Sequence, residues 1–222
     1  MIAREPVEAL APGETVIRGE LQAGDSTTWV VLVHAEGGDI DEWRPLATAL
    51  APEGWNLLAL DLPGHGGSDG EWDPADGPAQ VQVGVDLARR RGAGHVAVVA
   101  AGVGAMWALE AVARAIDDAA LSLADSLVLI SPGPVEGADP ARIRGDGLAK
   151  IIISGAFAAG LDDAVTLLRT SIGWTVAVRF PTDARGIGLL EGRHAVNVAD
   201  KIASFVREQA AQTGPGQLRA GR

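Results

Sequence analysis

Six short apolar runs, each ending in a tight turn and most leading into a helical stripe, constrain this chain more than any other feature. The first, Trp29-Val30-Val31-Leu32-Val33, is β-branched and closed by Glu36-Gly37-Gly38, the pattern of a buried strand that stops at a tight loop. Trp43, Leu46, Ala47 and Leu50 then recur at helical spacing, with Pro45 where a first turn tolerates it. The succession repeats. Asn56 to Leu60 is a second strand, followed by the turn-rich Asp61 to Ser68 and by a helix over Pro78 to Arg91. Val81, Val85 and Ala88 share one face of that helix, and Arg89-Arg90-Arg91-Gly92 marks its end. His95 to Ala101 runs into Gly102-Val103-Gly104 and a helix striped by Leu109, Val112, Ala113 and Ile116. Leu127 to Ile130, Ile151 to Ile153 and Thr175 to Phe180 supply three further strands. Helices are expected over Asp162 to Arg169 and around Val198, Ile202, Phe205 and Val206.

Strands joined by helical crossovers require a mostly parallel sheet covered on both faces. The fold class is therefore α/β, three-layered, with helices on both sides of the sheet. The 222 residues are read as one domain over 1–209 and a flexible tail over 210–222.

Composition removes many chemistries. The chain has no cysteine and no tyrosine, which excludes thiol nucleophiles, disulfides, Cys-ligated zinc, iron–sulfur clusters and phenolic acid/base work. Four histidines remain, His34, His65, His95 and His194. Lys+Arg of 18 against Asp+Glu of 29 gives a net charge of −11, which repels nucleic acid and anionic membrane surfaces. The opening residues lack a signal-peptide pattern, and no run reaches the roughly 18 apolar residues of a membrane span. A soluble, cytoplasmic, acidic protein is the expectation. No cofactor and no metal is expected.

In an open parallel sheet, ligands bind beyond the carboxyl ends of the strands. Five such ends are visible, at 34–38, 61–68, 102–104, 131–133 and 154–160. Around them lie the segments VVLVHAEGGDIDEWRPLATAL, LLALDLPGHGGSDG, VAVVAAGVGAMWALEA, LVLISPG and KIIISGAF, followed by a late helix ending IASFV. In content and order these resemble the α/β-hydrolase fold family, in particular its small, cap-free, esterase- or dienelactone-hydrolase-like members. The likeness spans roughly residues 19 to 208 and leaves no length for a cap domain.

The resemblance implies a strained strand-to-helix turn, small-x-Ser-x-small, that presents a nucleophile above the sheet. Here the turn reads Ala100-Ala101-Gly102-Val103-Gly104, so Gly102 stands at the nucleophile position. The acid would follow the strand ending Ser154-Gly155, where the matching position is Ala158; Asp162 and Asp163 come four and five residues later, where helix capping accounts for them. The histidine would lie in a segment that reads Ala184-Arg185-Gly186, placing Arg185 there. A guanidinium stays charged and cannot act as a general base. His194 falls nine residues further on, near the last helix. The oxyanion loop keeps His34, but Ala35 replaces the usual glycine and Glu36 adds a charge of the wrong sign.

Other signals are weaker. Gly102-Val103-Gly104 opens a helix as a dinucleotide fingerprint does, yet Trp107 fills the third glycine position. His65 lacks partners at metal-ligand spacing, His95 sits at the start of a strand away from the site, and Ser131 and Ser154 lack an adjacent base. Trp72 lies in an acidic loop, either as a ligand or partner contact or as an anchor packed onto the body. The reading is a pseudo-hydrolase that binds a small apolar or anionic ligand, or a protein partner. Its pocket candidates are His34, Ala35, Glu36, Gly102, Val103, Ser131 and Arg185. The alternatives are an enzyme using Arg185 and a carboxylate such as Glu36 without a covalent intermediate, and an esterase-like hydrolase with non-standard catalytic residues.

Overall fold

A computed structural model describes residues 4–133, 148–159, 164, 166 and 174–213. Eight strands form one sheet: β1 (Arg4–Leu10), β2 (Val16–Gln22), β3 (Thr28–Val33), β4 (Asn56–Leu60), β5 (His95–Ala101), β6 (Ser126–Ile130), β7 (Ala149–Gly155) and β8 (Thr175–Phe180). Their order is β1-β2-β4-β3-β5-β6-β7-β8. The six strands read from the sequence are β3 to β8, and every neighbouring pair among them is parallel.

The polar beginning of the chain is also sheet, which the sequence reading did not anticipate. β1 and β2 form an antiparallel hairpin, and β2 pairs antiparallel with β4. These outer strands bury only alternate side chains, Val7 and Ala9 on β1, Ile17 and Leu21 on β2. Their signal is a period of two among charged residues rather than a continuous apolar run.

The central strands are buried on both faces, so adjacent residues serve opposite layers. Val31, Val33, Val96, Val98, Leu127 and Leu129 pack with α2 (Gly77–Arg90) and α3 (Val103–Asp117), through Val81, Ala88, Trp107 and Val112 among others. Val30, Leu32, Ala97, Val99, Val128 and Ile130 pack on the other side with α1 (Arg44–Leu50) and α4 (Ala195–Gln212), through Leu46, Leu50, Val198, Ile202, Phe205 and Val206. Of the helix expected over Asp162 to Arg169, Ala164 and Thr166 are among the described residues and are helical; Asp162, Asp163 and the rest lie outside them. α4 continues to Gln212, into the segment read as a tail, and the Thr213 hydroxyl meets His95 Nδ1 at 2.7 Å.

Candidate functional site

β5 stops at Ala101, and the chain enters α3 through one residue, Gly102, with φ 57° and ψ −126°. A side-chain-bearing residue is strained in this positive-φ region, whereas glycine adopts it freely. The turn is braced by Gly102 N–H donating to the Ile130 carbonyl at 2.9 Å and by the Gly102 carbonyl accepting from Gly133 N–H at 3.2 Å. Ala100 is fully buried, and a β-carbon at Gly104 would lie 2.7 Å from the His34 carbonyl oxygen. The small residues flanking the turn are thus required by close packing of helix and strand. No described residue accepts a hydrogen bond from the backbone N–H of Ala35 or Val103.

Above this turn opens a cavity of about 510 Å³. The loop after β3 contributes Ala35 and Glu42, the β5–α3 turn Ala101 and Gly102, and the loop after β6 Ser131, Pro132 and Gly133. Ser154, Ala158 and Ala159 line it from β7 and its following loop, and Arg185 to Gly188 and Glu191 from the segment after β8. Gly102, Ala158 and Arg185, far apart in sequence, therefore face one space. Arg185 is exposed, and its guanidinium makes no hydrogen bond or ion pair among the described residues. Ser131 sits at the rim of β6 with φ 46°, donates its N–H to the Ile153 carbonyl at 2.8 Å, and has a buried Oγ without a partner among the described residues.

Glu42 and Glu191 are charged lining residues that sequence reasoning missed. Glu42 sits in the loop after β3. It belongs to a single 3-10 turn, Ile40–Trp43, started by the Asp39 carboxylate accepting from Asp41 N–H at 2.8 Å. The turn is tied down from outside, because Ile40 N–H donates to Asp61 Oδ1 at 2.9 Å while Asp61 Oδ2 accepts from Gly67 N–H at 2.8 Å. Trp43 is buried in the core, and Glu42 is directed to the cavity wall with its Oε2 inaccessible and without a partner among the described residues. Burial, and then the nearby charges of Asp39 and Glu191, hold its carboxyl above the usual carboxylate range. The spacing Asp39-x-x-Glu42 was a readable signal, since it matches a helix-start box in which the glutamate normally reaches back to the first amide.

Of the seven pocket candidates, Ala35, Gly102, Ser131 and Arg185 line the cavity, and His34, Glu36 and Val103 do not. Glu36 is exposed outside it, and Val103 packs its side chain against the core. His34 is fully buried: its Nε2 accepts from Leu62 N–H at 2.9 Å, leaving Nδ1–H to donate to the Ala35 carbonyl at 2.7 Å. Burial pushes its pKa below the ordinary imidazole value. It braces the loop from beneath. His65 acts alongside, accepting from Gly37 N–H at 3.0 Å, and its ring meets Trp72 edge-on at 4.6 Å. Trp72 in turn packs against Trp107 at 4.9 Å, which makes it an anchor of its loop.

His194 precedes α4 and accepts from Arg193 Nε at 3.1 Å, away from the cavity lining. A serine, a histidine and an aspartate do come together elsewhere. His95 Nε2 lies 3.1 Å from Ser126 Oγ, and Asp125 Oδ2 lies 3.9 Å from His95 Nδ1. This set occupies the opposite, amino-terminal ends of β5 and β6. Ser126 has no exposure, and His95 Nδ1 is hydrogen-bonded to Thr213 rather than to the aspartate. Its Asp125 accepts from Val96 N–H at 2.7 Å and pairs with Arg89, so the cluster fastens α2, the sheet and the end of α4 together.

The geometry on these strand ends agrees with a family-level match: a model described as alpha/beta hydrolase fold fits residues 28–149. The chain belongs to the alpha/beta hydrolase fold family. Among solved structures, the Pyrococcus furiosus esterase Pf2001 superposes with a TM-score of 0.75 at 15% identity, over 94% of this chain and 92% of that one. Est1E from Butyrivibrio proteoclasticus, solved with ferulic acid bound, gives a TM-score of 0.74 at 15% identity, over 92% and 99%. At such identity the likeness is one of fold. A 2-succinyl-6-hydroxy-2,4-cyclohexadiene-1-carboxylate synthase of Klebsiella pneumoniae (strain 342) is 52% identical over 40 residues, 18% of this chain. That stretch is 15% of the synthase, so the chain spans only a small part of the curated relatives it matches. No helix among the described residues of this alpha/beta hydrolase fold protein is long and apolar enough to cross a membrane.

Proposed function

We propose that this member of the family binds a small anionic molecule non-covalently in the cavity above Gly102. The observation that carries the reading is the turn itself. Gly102 holds the strained conformation in which the family presents a nucleophile, yet offers no hydroxyl there. Ala158 and Arg185, at the positions where the resemblance places acid and base, supply neither. Arg185 instead gives the cavity a cation without a partner among the described residues, and the amide of Ala35 adds a neutral donor. Est1E, with ferulic acid bound, is a fold relative whose ligand is a carboxylic acid. Intact-mass measurement after fluorophosphonate treatment tests the non-covalent reading: no adduct is expected, and a single stoichiometric adduct would overturn it.

Glu42 favours a second reading, hydrolysis without an acyl-enzyme. Its carboxylate would take a proton from a water as that oxygen bonds to an ester carbonyl carbon, with the developing oxyanion received by the amide of Ala35. Glu42 would then return the proton to the leaving alkoxide as the C–O bond breaks. This reading requires turnover of a short-chain aryl ester that Glu42→Gln lowers at least a hundredfold. Equal rates in both proteins remove it.

A further inference from the structure

We propose that the cavity selects small carboxylic acids bearing a hydroxyl or ammonium donor remote from the carboxylate, Arg185 taking the carboxylate and Glu42 the donor. The inference rests on the ligand-binding reading above and specifies its ligand class. Two groups in this lining want partners of opposite kind. Arg185 presents only donors, and the Glu42 carboxylate, which lines the cavity, is an acceptor with no hydrogen-bond partner among the described residues. A half-buried carboxylate without a partner is poorly solvated, so a ligand donor that pairs its cavity-facing oxygen recovers part of that free energy as affinity.

The two groups do not satisfy each other. Neither has a hydrogen-bond or ion-pair partner among the described residues, and the charges that act on Glu42 are Asp39 and Glu191, both negative. Glu191 also lines the cavity, so the surroundings of Glu42 repel an anion and favour a donor, an ammonium more than a hydroxyl. Arg185 stands outside this negative group and is the place for the carboxylate. A single molecule that pairs both groups must therefore carry its donor away from its acid, and a cavity of about 510 Å³ holds such a molecule.

Calorimetric titration with phenylacetate, 4-hydroxyphenylacetate and 4-(aminomethyl)phenylacetate, and with the corresponding propionates, tests the assignment. In at least one series the hydroxyl should tighten binding about tenfold over the parent acid, and the aminomethyl group at least as much. Glu42→Leu should erase that preference, and Gly38→Ala, which displaces the same carboxylate, should reproduce the loss. Arg185→Met should weaken all the acids about tenfold or more. Equal binding of parent and substituted acids, or a preference that survives both Glu42→Leu and Gly38→Ala in folded protein, overturns this inference and leaves anion binding standing. If none of the acids binds and Arg185→Met changes nothing, the ligand-binding reading falls with it.

Discussion

Gly38 packs directly against Glu42: a β-carbon built on Gly38 would overlap the Glu42 carboxylate oxygens. The backbone at this point thus presses the acid into the cavity wall and leaves no volume for any side chain. The atom in the way is the far end of a flexible side chain, so Gly38→Ala should fold with a loss of no more than about 1 kcal/mol. Glu42 should swing out to water, and its titration, followed by carboxyl NMR, should move down toward the ordinary value. An unchanged titration would show that the contact does not hold the carboxylate.

Restoring a serine should not restore a hydrolase. A β-carbon at residue 102 would stand 3.1 Å from Ala35 Cβ at a φ of 57°, a tight fit in a strained conformation. Gly102→Ser should lower stability by about 1–2 kcal/mol, seen as a fall of several degrees in Tm. Fluorophosphonate labelling should stay at background, since Arg185 cannot accept the serine proton. Labelling at the rate of an ordinary serine esterase would contradict this.

Arg185 contributes to binding rather than to the fold. Its guanidinium is exposed and has no ion pair among the described residues, so Arg185→Met should alter Tm by less than about 2 °C. Carboxylate affinity should fall about tenfold or more. A large drop in Tm would assign Arg185 to the scaffold.

Acid should destabilise the protein through two histidines. Burial holds His34 and His95 below the ordinary imidazole pKa. Between each folded pKa and the unfolded value of about 6.5, the unfolded chain binds the extra proton, so stability rises with pH. Their contribution is complete above pH 6.5 and is lost as pH falls through the folded values. Chemical denaturation between pH 7.5 and 5 should show this decline, and His95→Gln should flatten part of it.

Glu42 has the opposite sign. Its folded pKa lies above 4.5, so near neutral pH the fold carries an uncompensated carboxylate that is better solvated when unfolded. Glu42→Gln should raise stability at pH 7 by about 1 kcal/mol, with the gain vanishing as pH drops below 4.5. A destabilised variant at pH 7 would reveal a hydrogen-bonding role for the carboxylate in the fold.

Much of this was legible in the chain. β4, β5 and β8 carry the limits read from their runs. The edge strand β8 is half-exposed, whereas β4 and β5 are buried on both faces, and such a strand is apolar nearly throughout and stops where polar turn residues begin. Gly102 could be placed at the strand-to-helix turn for the same local reason. The hairpin of β1 and β2 was not read, because half-exposed strands show only alternation, which charged residues dilute.

In the loop after β3, the carboxylate that lines the cavity is Glu42, six residues on from Glu36. Both lie between β3 and α1, where no period tells a side chain which way to face. The choice was made by Asp39 starting the 3-10 turn, Asp61 holding its amide and Gly38 closing behind it. His34 was drawn beneath the loop by the distant Leu62 amide in the same way. What the sequence by itself determined was the succession of elements and the glycine at the turn, because burial and backbone freedom are properties of local residues. Which side chains meet in the cavity was decided only by the tertiary structure, because loop direction depends on hydrogen bonds and close contacts between segments that sequence proximity does not pair.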